Sequence, residues 1–138
     1  MPKKNESPEY SGLQDKIREM KIEPELDVIE NIYADREYWV EYTTTEFTSI
    51  CPKTGLPDFA DLSIRYIPGP FLVEEKSLKL YLNAYRELGI FQENATNKIL
   101  DDFVAKVKPR YISIDADWNK RGGIGTHVQA EWGDDTGE

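Results

Sequence analysis

The chain has 138 residues, a formal net charge of −9 and 39% hydrophobic residues, a composition that predicts one soluble globular domain with a core of modest size. The charge disfavours non-specific nucleic-acid binding, which takes clustered Lys and Arg, and no apolar run approaches the ~20 residues of a membrane helix. One Cys and one His exclude an intrachain disulfide and argue against a zinc site. A cytoplasmic protein with no metal, no membrane and no direct nucleic-acid partner is expected, and the polar first residues carry no signal-peptide core.

Residues 1–12 read as a disordered polar tail, 13–132 as a single domain and 133–138 as an acidic tail. Leu13, Ile17 and Met20 are spaced for a short helix; 26–33 is ambiguous. Segment 38–50, rich in Thr, Tyr, Val and Trp, predicts a strand. Segment 59–67 predicts a second, with Ala60, Leu62, Ile64 and Tyr66 alternating against Asp61, Ser63 and Arg65 until Pro68-Gly69-Pro70 ends it. Leu78, Tyr81, Leu82, Tyr85 and Leu88 predict a helix over 77–88 with Gly89 as a left-handed cap. Ala95, Ile99, Phe103 and Val107 predict another over 92–107, stopped by Pro109. Strands follow over 110–118 (Ile112, Ile114, Ala116 and Trp118 inward) and 126–132 (Val128, Ala130 and Trp132 inward), joined by a glycine-rich basic loop over 119–125. The order strand, strand, helix, helix, strand, strand predicts an α+β domain with helices on one face of an antiparallel sheet. Its exposed edge strands favour oligomerisation.

Three clusters carry candidate chemistry. Cys51 lies in Cys51-Pro52-Lys53-Thr54-Gly55-Leu56-Pro57-Asp58, a rigid turn that can fold Asp58 back towards the thiol. A thiol of ordinary pKa, about 8.5, is only slightly ionised at neutral pH, so a nucleophilic Cys51 needs a base or a positive environment; the other reading is a packed thiol beside a structural turn. Lys76 and Lys79, three apart at a helix start, can present charge to an anion or simply face solvent. Lys120 and Arg121 beside Gly122-Gly123 fit either a phosphate or a hairpin turn.

Taken together, these segments resemble a known family. The run Phe47 to Ala60 resembles the active-site segment of NADPH-dependent 7-cyano-7-deazaguanine reductases, the nitrile reductases of the queuosine pathway. Tyr66-Ile67-Pro68, Glu74 through Tyr81, Phe91-Gln92-Glu93, Pro109-Arg110 and Arg121-Gly122-Gly123 follow in the family's order. The resemblance implies a tunnelling fold of ββααββ type whose sheets associate into an oligomeric barrel, a pentamer or decamer, with active sites between subunits. It implies that Cys51 forms a thioimide with the nitrile, Asp58 serves as acid and base, and NADPH is the co-substrate. By the same resemblance Val73, Glu74, Glu75, Gln92 and Glu93 hold the 7-deazapurine, and Lys76, Lys79 and Arg121 contact NADPH. Glu75 stands where Ser or Leu is common and Gln92 where His is common; Gln92 cannot donate a proton as His can. Two other functions stay in view: an amidinotransferase of archaeosine synthesis using the same thioimide, whose members lack the paired lysines, and a non-enzymatic purine-binding module.

Overall fold

The computed structural model describes residues 11–134; of the tails expected at 1–12 and 133–138, residues 1–10 and 135–138 lie outside them. The elements are β1 (Val28–Glu30), β2 (Val40–Ile50), β3 (Pro57–Ile67), β4 (Phe71–Val73), α1 (Glu75–Asn83), α2 (Gln92–Val107), β5 (Tyr111–Arg121) and β6 (Ile124–Gly133), with 3-10 turns at Ser11–Glu19 and Ala84–Glu87. The alternation of β3 is realised in full: Ala60, Leu62, Ile64 and Tyr66 are buried, while Phe59, Asp61 and Arg65 are exposed. The four long strands form one antiparallel sheet in the order β2-β3-β5-β6. Both helices cover a single face of it, α1 and its 3-10 extension over β2 and α2 over β5 and β6. Between them lie Tyr66, Tyr85, Ile99, Phe103, Ile112 and Ile114, each essentially fully buried and each contributing roughly 1.5–3 kcal/mol through removal from water.

Two irregularities matter more than the regular ladder. The β2–β3 register steps from Thr44↔Leu62 to Phe47↔Ala60, so β2 carries one extra residue. Because side chains alternate with period two, this bulge switches β2 from even to odd positions facing the core, and Phe47 and Ser49 are buried after it. The β5–β6 register steps likewise from Trp118↔Thr126 to Arg121↔Ile124. This second bulge brings odd-numbered Arg121 onto the face that holds even-numbered Trp118.

Several expectations are corrected. The first helix is shorter than 77–88 at its C-terminal end: it gives way to 3-10 at Ala84, and Leu88 is extended. Ile50 N donates to Leu88 O and Ile90 N to Ile50 O, tying this stretch to the end of β2 as a one-bridge strand. Gly89 is therefore no left-handed cap; the left-handed helix end belongs to Lys108 after α2 (φ 54°). The basic loop over 119–125 is mostly strand, closed by a two-residue turn with Gly122 and Gly123 at φ 59° and 82°, conformations that glycine adopts without strain. Trp132 stands opposite inward Ile112 as expected but is 47% exposed rather than buried. The ambiguous segment 26–33 yields β1, which pairs with β4 as a separate two-stranded sheet and fixes Val73 through Val28.

The short helix expected around Leu13 to Met20 forms as 3-10 turns, and its Gln14 has a tertiary role. Phe91, the N-cap of α2, offers no side-chain cap. Gln14 ties down this helix start instead: Oε1 accepts from Phe91 N and Asn94 Nδ2, and Nε2 donates to Gly89 O at 3.0 Å. Gln14→Ala is expected to destabilise the fold by about 1 kcal/mol, seen as a lower urea midpoint at unchanged slope.

Candidate active site

Cys51 occupies the first position of a tight turn after β2. Gly55 N donates to Cys51 O at 2.8 Å and Cys51 N to Leu56 O at 2.9 Å, with Gly55 at φ 74°. Pro52 sets the turn's entry, and the following N–H groups of Lys53 and Thr54 come round to the sulfur. Burial on its own would raise the thiol. The Thr54 hydroxyl and the backbone N–H groups of Thr54 and Lys53 outweigh it and hold Cys51 below the ordinary thiol value, while the charge of Asp58 works against them. Cys51 is a half-buried free thiol, so it combines access with a stabilised thiolate.

Asp58 stands opposite Ser49 across the β2–β3 ladder and is 5% exposed. Burial raises its carboxyl above the ordinary range, and the charge of Arg121 opposes that rise. Arg121 reaches it from β5: Nε lies 2.6 Å from Asp58 Oδ1, and Nη2 donates to Pro57 O at 2.8 Å. Ser49 and Trp118 complete this corner, and their Oγ and Nε1 are buried with no hydrogen-bond partner among the described residues. Phe47, Ala60 and Trp118 form one row across the three strands. The small Ala60 lets Phe47 and Trp118 meet edge-on at 5.7 Å above the carboxylate's row. The bond from Ile90 N to Ile50 O brings the start of α2, with Gln92 and Glu93, to the same end of the sheet. Gln92 is half-buried and Glu93 is exposed.

The remaining candidate residues gather elsewhere. Val73 N donates to Tyr66 Oη at 3.1 Å, and Tyr66 lies eight residues along β3 from Asp58, roughly 25 Å of extended chain. Glu74 caps α1, its two carboxylate oxygens accepting from Lys76 N and Ser77 N at 2.8 Å each. Those bonds, Lys76 first, hold its pKa below the ordinary carboxylate value. Glu75, Lys76 and Lys79 are exposed. Glu75 and Lys79 line a groove of about 360 Å³ between α1 and β2, together with Tyr42, Phe47, Leu82 and Arg86. Within one chain the ten candidate residues thus form two groups: Cys51, Asp58, Gln92, Glu93 and Arg121 at one end of the sheet, and Val73, Glu74, Glu75 and Lys76 at the other, with Lys79 between. Among the described residues no cluster of three or more His, Cys, Asp or Glu is placed to hold a metal, and no helix is long and apolar enough to cross a membrane.

Sequence reasoning missed Ser49, Thr54, Arg86 and Trp118. Thr54 was visible inside the cysteine turn. Trp118 was visible as an inward position of its strand, whereas Ser49 and Arg86 carried no signal, because their placement depends on the β2 bulge and on where α1 and its extension pack.

The structure is thus an α+β domain whose antiparallel sheet sets a half-buried free thiol near a buried carboxylate. A family model described as "QueF-like protein" matches residues 57–136. The chain is 52% identical over 112 residues to an NADPH-dependent 7-cyano-7-deazaguanine reductase of Chloroherpeton thalassium, covering 80% of this chain and 97% of the relative. It is 50% identical over 115 residues to the protein of that name from Syntrophus aciditrophicus, covering 83% and 82%. Among solved structures, an archaeosine synthase QueF-Like in the apo form superposes with TM-score 0.65 at 26% identity, covering 70% of this chain and 94% of the other. The chain belongs to the QueF-like family.

Proposed function

We propose that this chain reduces the nitrile of 7-cyano-7-deazaguanine to 7-aminomethyl-7-deazaguanine with two NADPH, within queuosine synthesis. The observation that carries this reading is the thiol of Cys51, held below its ordinary pKa by Thr54 and Lys53 and set beside buried Asp58, in a chain about half identical to reductases of that name. In the first step Asp58 accepts the thiol proton, sulfur bonds to the nitrile carbon, and a C≡N π pair moves to nitrogen. The nitrogen then takes the proton from Asp58, leaving a neutral thioimide on Cys51. Bound NADPH supplies the hydrides, and the chain orients it and moves the protons. Gln92 contributes hydrogen bonds but no proton, so the proton relay falls to Asp58 and solvent.

Val73, Glu74, Glu75, Gln92 and Glu93 would hold the deazaguanine, with the Glu93 carboxylate accepting from its N–H edge. Lys76 and Lys79 would take the phosphates of NADPH, with Arg121 at the thiol end. The groove fits such a ligand: Tyr42, Phe47 and Leu82 offer an apolar wall, and Lys79 and Arg86 offer cations. Lys79→Ala is expected to raise the KM for NADPH about tenfold while leaving formation of the Cys51 adduct unchanged; loss of the adduct would contradict a cofactor role.

The split of the site over two ends of one sheet supports a tunnelling-fold ring, pentameric or decameric, in which one subunit's Cys51 end meets a neighbour's α1 end. Among the described residues β2, apart from its bridge at Ile50, and β6 are edge strands, which supports it further, as do exposed apolar side chains at both ends: Leu56, Phe59 and Ile124 at one, Ile29, Trp39 and Trp132 at the other. A stable monomer on sizing would remove this shared site. Such a protein, with a small-molecule substrate, would work in the cytoplasm.

The test is to mix purified protein, 7-cyano-7-deazaguanine and NADPH. Two NADPH consumed per nitrile is the expected result. The likeness to an archaeosine synthase QueF-Like favours one competing reading, ammonia addition to a tRNA-bound nitrile. Incorporation of ammonia with no NADPH oxidation would establish it in place of reduction.

A further inference from the structure

The Arg121–Asp58 pair suggests more than a phosphate contact. We infer that Arg121 is a positioning residue that ties capture of an anionic hydride donor to the protonation of Asp58, an inference that rests on the reductase reading above. Three observations carry it. The two residues touch only because the β5 bulge turns Arg121 onto the core face, in the corner where Asp58 and Ser49 face each other. The pair is asymmetric in its access to water: the Asp58 side chain is 4% exposed and that of Arg121 36%, so an incoming anion reaches the guanidinium without reaching the carboxylate. The contact is single, Nε to Oδ1 at 2.6 Å with Nη2 spent on Pro57 O, rather than the two-pronged pair a guanidinium can form, so a phosphate that engages two N–H groups can compete for the side chain.

The groups acting on Asp58 are few. From β5 it meets Arg121, and from the turn the Cys51 thiol. Ser49 on β2 and Trp118 on β5 are uncharged neighbours, and Glu93, at the start of α2, is exposed. Arg121 is therefore, among the described residues, the cation that opposes the effect of burial on Asp58. With Nε and Nη2 already turned towards Asp58 and Pro57 O, the remaining guanidinium N–H groups are available to a phosphate. A phosphate there either draws the side chain away or offsets its charge in place. Both outcomes leave a buried carboxylate without its cation, and such a group takes up a proton. The same residue thus serves in two states. Paired with Arg121, Asp58 is a base that accepts the proton of Cys51. Relieved of Arg121, it is an acid that delivers one proton to the substrate nitrogen for each hydride added to carbon. The base form then prevails before the donor binds and the acid form afterwards, the order that thioimide formation followed by reduction requires.

The test reads the rate of Cys51 adduct formation with 7-cyano-7-deazaguanine by intact mass, without NADPH, as a function of pH. Arg121→Met is expected to move the acid limb of the profile to higher pH by about half a unit or more, and Arg121→Lys to restore most of the shift. Saturating NADP⁺, which binds but donates no hydride, is expected to move the wild-type limb in the same direction and to leave that of Arg121→Met in place. If neither Met nor NADP⁺ moves the limb, and Arg121→Met only raises the KM for NADPH, Arg121 is a phosphate contact alone and the inference is overturned. Should Arg121→Met not fold, the Lys variant and the NADP⁺ titration of wild type decide the matter. Absence of any adduct in wild type would instead sink the reductase reading, and this inference with it.

Discussion

Cys51→Ala is expected to fold normally, to form no covalent adduct with 7-cyano-7-deazaguanine, and to lose nitrile reduction by roughly 10³-fold or more. The fold should be indifferent because Cys51 is half-buried, and its turn is closed by backbone bonds to Leu56 O and from Gly55 N that alanine keeps. The activity should not be indifferent. The Thr54 hydroxyl and the N–H groups of Thr54 and Lys53 hold a negative sulfur against burial and the charge of Asp58, and a methyl group cannot use them. Intact mass with and without substrate, together with NADPH oxidation at 340 nm, reads both expectations. Residual reduction within tenfold of wild type would mean that hydride reaches a nitrile that is never bonded to sulfur.

Asp58→Asn should separate catalysis from stability. Adduct formation is expected to slow by roughly 10²–10⁴-fold, the usual loss on removing a general acid–base group, while the fold is expected to become more stable near neutral pH. The sign follows from the direction of the shift. Burial raises the carboxyl in the folded state, and Arg121 offsets only part of that rise. The folded protein therefore binds this proton more tightly than the unfolded chain does. The stability lost to Asp58 appears as pH rises from the ordinary carboxylate range through the raised value, and it persists above it. Below the ordinary range both states are protonated and the term vanishes. The melting temperature of Asp58→Asn should accordingly exceed that of wild type at pH 7 and converge with it at low pH. A lower value at pH 7 would show that the pairing with Arg121 outweighs the burial. A buried functional charge that weakens the fold is a common form of the trade-off between stability and activity.

The parts legible in the sequence were those where one local rule governs. Alternation placed the core face of β3 and most of that of β5, and helical spacing found both helices. Rigid turn chemistry put Asp58 near Cys51. Illegible were the features set by long-range contact. No composition marks a bulge between Thr44 and Phe47, and without it Ser49 would face away from Asp58. The end of the first helix was misplaced because Ile50, far away in sequence, draws Leu88 and Ile90 into extended form; a glycine cap looked sufficient and was not used. The strands β1 and β4, three residues each, are too short for a period to show. For Arg121, basicity beside glycines suggested a ligand, whereas its neighbour in the fold is a carboxylate that only the register of β5 reveals.

The bulge in β2 also determines what kinds of change this segment can absorb. Substitution at Thr45 or Glu46, both exposed, alters a solvent-facing side chain and leaves the path of the strand alone. Loss of one residue there would preserve the composition, the hydrophobic content and most of the ladder. It would also rotate everything downstream by half a turn, carrying Ser49 to the helix-free side of the sheet and starting the thiol turn from the wrong side. The segment therefore conveys its information to the site through its count of residues, odd or even, more than through their identity.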